Sequence, residues 1–392
     1  MKHGYTAEEK ALVWLDSFEG LTYRRKAQML SLCPSAEELA AAVAAGGEKF
    51  ADFLPPESRA LLQKSLRDGN YLSSVLNELA EKGIFCVTLR SADYPAQLKE
   101  TLAPPLVLYG KGDRSLLQGD MFAVVGSRRT QTRVQALTRE FAAALSEHFT
   151  IVTGIAEGGD VSAVRGVLEK DKAARANVVC VLAHGFDYVY PAAHADILQE
   201  VCRRGLALTE HRPDVRPQKF LFPVRNRIIA GLARGVLVVS GGMRSGTSVT
   251  AGYALDYGRD VFAFPYDPGV PSGAGCNALI KNGACLADCV PDILSHYGLE
   301  EPKPAAPPPL SGEERKVLSV LSERGEAHIE ELSRLSGLPA YLLSGVLSGL
   351  EVKGMVVRAG GNRYAAVGGF LPEGAERSPA PPEENEGGGV EK

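Results

Sequence analysis

The stretch Phe222-Pro223-Val224-Arg225-Asn226-Arg227-Ile228-Ile229-Ala230-Gly231-Leu232 places two arginines and an asparagine directly in front of an apolar helical run. Pro223 suits the first turn of a helix. The backbone N–H groups of a first turn have no intrahelical partner, so they are free to bind a group beyond the helix. Cations beside free donors predict an anion-binding site at this helix start.

On both sides of this helix, short apolar strands alternate with amphipathic helices from residue 121 to about 290. A continuous apolar run such as Val178–Leu182 is typical of a parallel strand that is covered on both faces. Six or more such repeats predict an α/β fold with a doubly wound parallel sheet. In such sheets, ligands bind beyond the carboxyl ends of the strands.

The rest of the chain divides by composition. The expected segments are a helical domain at 1–82, the sheet domain at 84–298, a Pro-rich linker at 299–311, a winged-helix domain at 312–367 and an acidic, disordered tail at 368–392. For the first domain, a packing or dimerisation role is favoured over nucleic-acid contact. The third helix of the winged-helix domain carries almost no positive charge, which favours contact with protein over contact with DNA.

Charge is distributed unevenly along the chain. The net charge is −4, and the segment 370–392 alone holds six acidic residues against two basic ones. Between Arg203 and Arg234, in contrast, eight basic residues stand against two acidic ones. A binding site for a polyanion is therefore expected to be a local pocket or stripe.

Membrane, metal and secretory classes are disfavoured. There is no run of 18 apolar residues and no apolar signal core, and the seven cysteines form no CxxC pair or metal-ligand spacing. We expect free thiols and a cytoplasmic protein without a membrane partner.

Two glycine-containing turns follow predicted strands. In Gly126-Ser127-Arg128, glycine permits close backbone approach, and Ser127 and Arg128 can bind a phosphate. In the turn from Gly241 to Thr247, Gly246 and Thr247 open a helix whose N–H groups can cradle a phosphate. Neither turn matches a dinucleotide fingerprint or a P-loop, and simple turn formation or capping remains open for both.

Aromatic residues and a cation precede the opening stretch. In Lys219-Phe220-Leu221-Phe222, a phosphate-pairing cation lies beside rings that could stack on bases, the composition that single-stranded nucleic acid requires. The alternative is that Phe220 and Phe222 belong to the core, and because the two alternate, one of them is expected to do so.

No catalytic constellation is evident. The candidate bases are His184, Asp187, His194 and Glu210, and none has a second carboxylate or nucleophile paired with it by sequence. Turn capping by Asp187 is the favoured interpretation.

Taken together, these motifs resemble the DprA/Smf family of DNA-processing proteins. The matching strings run in the family's order over about residues 84–290. They include Tyr94-Pro95, Pro105-Leu106-Val107-Leu108-Tyr109-Gly110, Val125-Gly126-Ser127-Arg128, Gly185-Phe186-Asp187, Tyr190-Pro191, Arg225-Asn226-Arg227-Ile228-Ile229-Ala230-Gly231-Leu232 and Ser245-Gly246-Thr247.

The resemblance implies an extended Rossmann fold that binds single-stranded DNA as a homodimer and helps to load the RecA recombinase in transformation and recombination. It implies neither catalysis nor a cofactor. It also implies a DNA pocket that uses Arg128, Lys219 and Phe222. The chain departs from the family's usual pattern at Val164, where histidine is usual, at Ser240, where glutamate is usual, and at Tyr266, where glycine is usual.

Two functional hypotheses follow. The first is a single-stranded DNA binder and recombination mediator, with Arg225, Asn226 and Arg227 beside the pocket residues. Within that group, Arg227 is expected to pair with a carboxylate such as Glu210 or Asp187 and to hold the pocket wall. The second is a nucleotide hydrolase with a Gly-Gly-x-Gly-Thr turn, which would need a glutamate between Ser248 and Ala254, where none occurs.

Overall fold

The computed structural model describes residues 4–18, 20–171, 173–300 and 309–367. They form two compact units, Met1–Lys303 and Pro304–Lys392. Most of the predicted linker 299–311 and all of the predicted acidic tail 368–392 lie outside the described residues.

Five helices begin the first unit: α1 (Ala7–Asp16), α2 (Tyr23–Ser31), α3 (Ala36–Ala44), α4 (Pro56–Arg67) and α5 (Tyr71–Glu81). Helix α1 begins with a capping box, in which Thr6 Oγ1 accepts the Glu9 N–H at 3.2 Å and Glu9 Oε2 accepts the Thr6 N–H at 2.9 Å. Trp14 of α1 is buried in the same apolar cluster as Cys86 and Tyr109 of the sheet. The helical segment therefore packs against the sheet within one unit.

Nine strands form the sheet of this unit: β1 (Phe85–Thr88), β2 (Val107–Gly112), β3 (Met121–Val125), β4 (Thr150–Thr153), β5 (Val178–Val181), β6 (Leu206–Thr209), β7 (Gly235–Val238), β8 (Asp260–Ala263) and β9 (Cys285–Leu286). Their order is β1-β2-β6-β5-β4-β3-β7-β8-β9. Strand β2 pairs in antiparallel fashion with β1 and with β6. The remaining neighbours, from β6 through β5, β4, β3, β7 and β8 to β9, all pair in parallel fashion.

Helices cover both faces of the sheet: α6 (Ala96–Lys99), α7 (Thr132–Leu145), α8 (Gly159–Lys170), α9 (Ala195–Arg204), α10 (Leu221–Leu232), α11 (Gly246–Asp256), α12 (Ala274–Lys281) and α13 (Val290–His296). Successive side chains of β3 enter opposite layers: Phe122 packs in the cluster that holds Phe141 of α7, and Val125 packs in the cluster that holds Ile228 of α10. This confirms the predicted doubly wound parallel sheet.

Strand β2 continues past Gly110 and ends at Gly112. A Cβ atom at Gly110 would lie 2.3 Å from the Phe85 ring on the adjacent strand β1. Glycine at this position therefore makes room for a ring that lies across the strand pair, and it does not mark a turn.

The order in which the chain adds strands to the sheet reverses at β3. From β3 it proceeds through β4, β5 and β6, and it then returns to place β7 on the other side of β3. The loops after β3, β4 and β7 meet at this switch point, where doubly wound sheets bind their ligands.

The second unit contains α14 (Gly312–Arg324), β10 (Glu326–His328), α15 (Ile329–Ser336), α16 (Ala340–Val352), β11 (Val356–Arg358) and β12 (Arg363–Ala366). The three helices and the hairpin of β11 and β12 match the predicted winged helix. Strand β10, which was not predicted, pairs with β12 and makes the wing three-stranded.

Within the described ranges, no single helix is long and apolar enough to cross a membrane. Helices α15 and α16 reach the required length and apolar composition only together, and a 104° bend separates them. Leu332, Leu343, Leu347 and Leu350 from these helices lie in the core of their own unit.

Candidate nucleic-acid interface

Two adjoining cavities open at the switch point. The first, which we call the cationic cavity, has a volume of about 340 Å³ and the second, the aromatic cavity, about 310 Å³. Arg128, Ala156, Phe222 and Arg225 line both of them. The cationic cavity is completed by residues from the turns after β3 and β7 and from the start of α10: Gly126, Ser127, Lys219, Asn226, Ser245, Gly246 and Thr247.

Side chains outside the Gly126-Ser127-Arg128 turn accept its first two N–H groups. Gly126 N–H donates to Asp160 Oδ1 at 3.2 Å, and Ser127 N–H donates to Ser240 Oγ at 2.9 Å. A Cβ atom at Gly159 would lie 2.4 Å from the Gly126 Cα, so the two glycines let helix α8 approach β3. Of the three residues of this turn, Arg128 alone is directed to the exposed surface.

The Arg128 guanidinium lies over the Phe222 ring, with its central carbon 5.5 Å from the ring centroid. The Tyr190 ring centroid lies 5.4 Å from that of Phe222, with the ring planes inclined at 59°. Phe222 is half-buried and contacts both a cation and a second ring, which restricts its orientation.

Two exposed cations line the cationic cavity. Arg128 and Lys219 are both exposed, and in the described part of the chain neither forms an ion pair. An exposed, unpaired guanidinium and ammonium that line one cavity are suited to a phosphate, which accepts several hydrogen bonds.

The start of helix α11 adds backbone donors. Ser245 caps the helix by accepting the Ser248 N–H at 3.4 Å. The Gly246 and Thr247 N–H groups belong to the first turn, so they have no intrahelical acceptor. The second glycine-containing turn thus presents its helix N-terminus to the cavity, as the sequence predicted.

The Arg225-Asn226-Arg227 motif lies inside a helix. It precedes the apolar run, as the sequence indicates, but α10 begins at Leu221, so the motif falls in the second turn and not at the helix N-terminus. Arg225 is 5 % exposed and donates to the Val181 carbonyl, and Asn226 Nδ2 donates to the Gly246 carbonyl at 3.2 Å. These two side chains join α10 to β5 and to the start of α11.

Asp160, which lines the cationic cavity, and Arg225, which lines both cavities, form a buried charge pair. A Cβ atom at Gly154 would meet Asp160 Oδ2 at 2.4 Å and Arg225 Nη1 at 2.7 Å, so both groups converge on this glycine. Burial raises the pKa of Asp160, and the Arg225 guanidinium opposes that rise. The Arg225 charge is thus committed to the protein interior.

Arg227 is ion-paired with Glu210, which confirms the predicted pairing of this arginine with a carboxylate. Asp187, the other carboxylate considered, accepts from Lys82 Nζ at 2.8 Å. Arg227 therefore holds the wall of the site and does not face either cavity.

The other candidate bases contact the protein backbone. His184 Nδ1 lies 2.9 Å from the Gly185 carbonyl, and His194 Nδ1 lies 2.8 Å from the Ile155 carbonyl. Burial lowers the pKa of His184, so its imidazole is neutral near pH 7.

The positions that depart from the family pattern are all accommodated. Ser240 is fully buried and fixes the Ser127 N–H, and Val164 lies in the core. The Tyr266 hydroxyl donates to the Val239 carbonyl at 2.6 Å. These substitutions leave the turn that carries Arg128 intact.

Sequence reasoning missed the part played by Tyr190 and Glu157. The ring of Tyr190 contacts Phe222 and lines the aromatic cavity. Glu157 lines the same cavity. The sequence signal for both residues was their position after the carboxyl ends of β5 and β4, where sheets of this kind bind ligands.

Metal-binding groups do not converge on these cavities in the described residues. Among the described residues, the one cluster with a geometry suited to a metal ion is Asp288, Cys289 and Asp292, and none of the three lines either cavity. Its Asp292 carboxylate accepts the N–H groups of Asp288 and Cys289 at 2.9 and 3.2 Å, as a cap for helix α13.

Comparison with known proteins places the chain in a family. The model of the family described as DNA recombination-mediator protein A matches residues 85–298, more than half of the chain, and that of the DprA winged helix domain matches residues 301–362. The chain belongs to the DprA/Smf family. The matched segment 85–298 contains every residue that lines the two cavities.

Individual DprA relatives agree. The chain is 38% identical over 284 residues to a DNA processing protein DprA of Mycobacterium tuberculosis, covering 67% of this chain and 72% of the relative. It is 37% identical over 228 residues to DNA processing protein DprA of Bacillus subtilis, covering 57% and 74%. The X-ray structure of DNA processing protein A from Streptococcus pneumoniae superimposes with a TM-score of 0.64 at 28% identity, covering 74% of this chain and 98% of that one.

Proposed function

We propose that this DprA/Smf protein binds single-stranded DNA at the cationic cavity. The observation that carries the proposal is the convergence of two unpaired cations, Arg128 and Lys219, with the free N-terminus of α11 on one cavity whose wall is the Phe222 ring. Phosphates would be bound by the cations and the backbone N–H groups, and Phe222 would supply an aromatic surface for a base.

Single strands are favoured over duplexes by the recessed position of the ring. Phe222 is half-buried and contacts both Arg128 and Tyr190, so a base must leave its stack to reach it. A paired base in a duplex is held in the stack, and unstacking it costs a few kcal/mol. Binding should accordingly be tolerant of sequence and sensitive to salt.

The role we propose is that of a non-catalytic recombination mediator in the cytoplasm. As the family resemblance implies, the protein would act as a homodimer and load RecA onto the bound strand. The absence of an acidic residue between Ser248 and Ala254 supports binding over nucleotide hydrolysis. Release of free base from nucleoside monophosphates would instead support the hydrolase.

Fluorescence anisotropy with a labelled oligo-dT tests the proposal. Arg128→Ala and Lys219→Ala should each weaken binding, and the wild-type protein should prefer the single strand to a duplex of the same length. Arg67→Ala, which removes an exposed cation from α4, is the matched control and should bind like the wild type. Failure of the wild-type protein to bind oligo-dT at low salt would refute the proposal.

A further inference from the structure

Most of the basic residues between Arg203 and Arg234 are committed to carboxylates. Of the eight in this segment, six have an acidic partner: Arg203 and Arg204 with Glu200, Arg212 with Asp214, Arg225 with Asp160, Arg227 with Glu210 and Arg234 with Asp120. The other two, Arg216 and Lys219, form no ion pair within the ranges that the structure describes. Two unpaired positive charges therefore lie three residues apart in the loop before α10.

Arg216 lies outside both cavities. Lys219 lines the cationic cavity, whereas neither Arg216 nor Tyr188 lines either one. The Arg216 guanidinium lies over the Tyr188 ring, with its central carbon 5.7 Å from the ring centroid, and its Nε donates to the Tyr188 hydroxyl at 3.2 Å. A second pair of cation and ring, similar to that of Arg128 and Phe222, is thus present beside the cavities.

We infer that Arg216, positioned by Tyr188, binds a backbone phosphate of the bound strand outside the two cavities. This phosphate is additional to those at Arg128 and Lys219. The inference rests on the proposed binding of single-stranded DNA, and it assigns a contact to a further nucleotide of the same strand.

The donors that Arg216 retains suit a phosphate. Its Nε is engaged by the Tyr188 hydroxyl, and in the described residues its Nη groups form no hydrogen bond. The Arg216 side chain is exposed, so these groups are open to a ligand. A planar guanidinium offers phosphate oxygens a pair of N–H donors in fixed geometry.

The loop that carries Arg216 is held in place by backbone hydrogen bonds. Gly185 N–H donates to the Val215 carbonyl at 2.8 Å, and Asp187 N–H donates to the Pro213 carbonyl at 2.9 Å. These bonds fix the loop against the segment that carries the Tyr188 ring. Because the loop is already ordered, less conformational freedom is lost when a ligand binds there.

The spacing along the loop places Arg216 within reach of the same strand as Lys219. Three residues of extended chain span at most about 11 Å. Only Pro217 and Gln218 lie between the two cations, so no carboxylate separates them, and Asp214 is paired with Arg212. A strand with one phosphate on Lys219 therefore has another phosphate near Arg216.

The salt dependence of dT12 affinity, measured by anisotropy, tests the contact in wild type, Arg216→Gln, Lys219→Gln and the double variant. Each phosphate contact contributes about 0.7 to the slope of log K against log salt concentration. Each single variant should therefore have a slope about 0.7 shallower than the wild type, and the double variant about 1.4 shallower. Arg67→Gln, at an exposed cation of α4, is the matched control and should keep the wild-type slope.

Tyr188→Leu tests the positioning of Arg216. This variant keeps the charge of Arg216 but removes the ring and hydroxyl that hold it, so affinity should fall at every salt concentration while the slope stays at the wild-type value. Tyr188→Phe retains the ring and should recover part of the affinity. Tyr341→Leu, at an exposed tyrosine of α16, is the control and should bind like the wild type. Wild-type affinity in Tyr188→Leu would overturn the role of Tyr188.

The outcomes separate this inference from the proposed function. If the wild type does not bind dT12, the proposed function fails. If Lys219→Gln lowers the slope and Arg216→Gln does not, DNA binding stands and the contact at Arg216 is refuted. If each single variant and the double variant all lose about 0.7, the two cations share one phosphate, and a separate contact is refuted as well.

Discussion

Arg227 and Glu210 form an ion pair that is largely shielded from water, with side chains only 11% and 14% exposed. Arg227 Nη1 and Glu210 Oε1 have no further hydrogen-bond partner in the described residues. The second arginine of the Arg225-Asn226-Arg227 motif is therefore a structural element that joins α10 to the end of β6.

Removal of one partner from this pair should destabilise the fold. Glu210→Leu leaves the Arg227 charge buried and uncompensated, and the expected loss is about 3–5 kcal/mol of unfolding free energy. Urea denaturation measures it. Glu48→Ala is the control, since it breaks a pair with Arg59 in which Glu48 is 84% exposed, and it should cost less than about 1 kcal/mol. Equal losses for the two variants would contradict the structural role.

Acid should weaken the fold through His211. Burial, reinforced by Arg227 and His184, lowers the pKa of this imidazole to about 4. The unfolded chain, with a histidine pKa of about 6.5, binds the proton more readily, so unfolding free energy falls as the pH drops from 6.5 towards 4.

The measurement is urea denaturation of the wild type and His211→Gln at pH 7 and pH 5. The wild type should lose about 1–2 kcal/mol more than the variant between these values, a figure reduced for the partial exposure of the ring. The same comparison with His148→Gln, at an exposed histidine, should show no such difference. Parallel losses in wild type and His211→Gln would show that His211 does not titrate in this way.

Two glycines of the first unit should respond in opposite directions to alanine. At Gly159, the new Cβ would collide with backbone atoms of Gly126, and the expected cost is about 1–3 kcal/mol or more. At Gly252, inside α11, no atom lies within 4 Å of the new Cβ, so alanine should stabilise the helix by about 0.5–1 kcal/mol. Thermal unfolding distinguishes them, and a neutral Gly159→Ala would refute close packing of α8 on β3.

The fold was predictable because its local signals agree. Val178–Leu182 is apolar at every position, as a strand covered on both faces requires, and Thr6 and Glu9 form the expected capping box. Strand β10 was missed because three residues with one buried side chain carry too little pattern. Its pairing with β12 is a tertiary effect.

The site was predictable in part, because sequence gives residue types and not directions. Arg128 and Lys219 are exposed cations, as expected, but Arg225 faces Asp160, which is 65 residues away in the chain. The helix boundary at Leu221 could not be placed because Pro223 is compatible with any position in the first turn. Contact between Tyr190 and Phe222 depends on a loop whose course no local pattern specifies.

The salt dependence of oligo-dT affinity tests the central claim most directly. Each phosphate that a cation neutralises contributes about 0.7 to the slope of log K against log salt concentration for single strands. The double variant Arg128→Gln/Lys219→Gln should therefore show a slope about 1.4 shallower than that of the wild type. The Lys64→Gln/Arg67→Gln double variant, which removes two exposed cations from α4, should retain the wild-type slope. An unchanged slope in the Arg128/Lys219 variant would contradict phosphate binding at the cationic cavity.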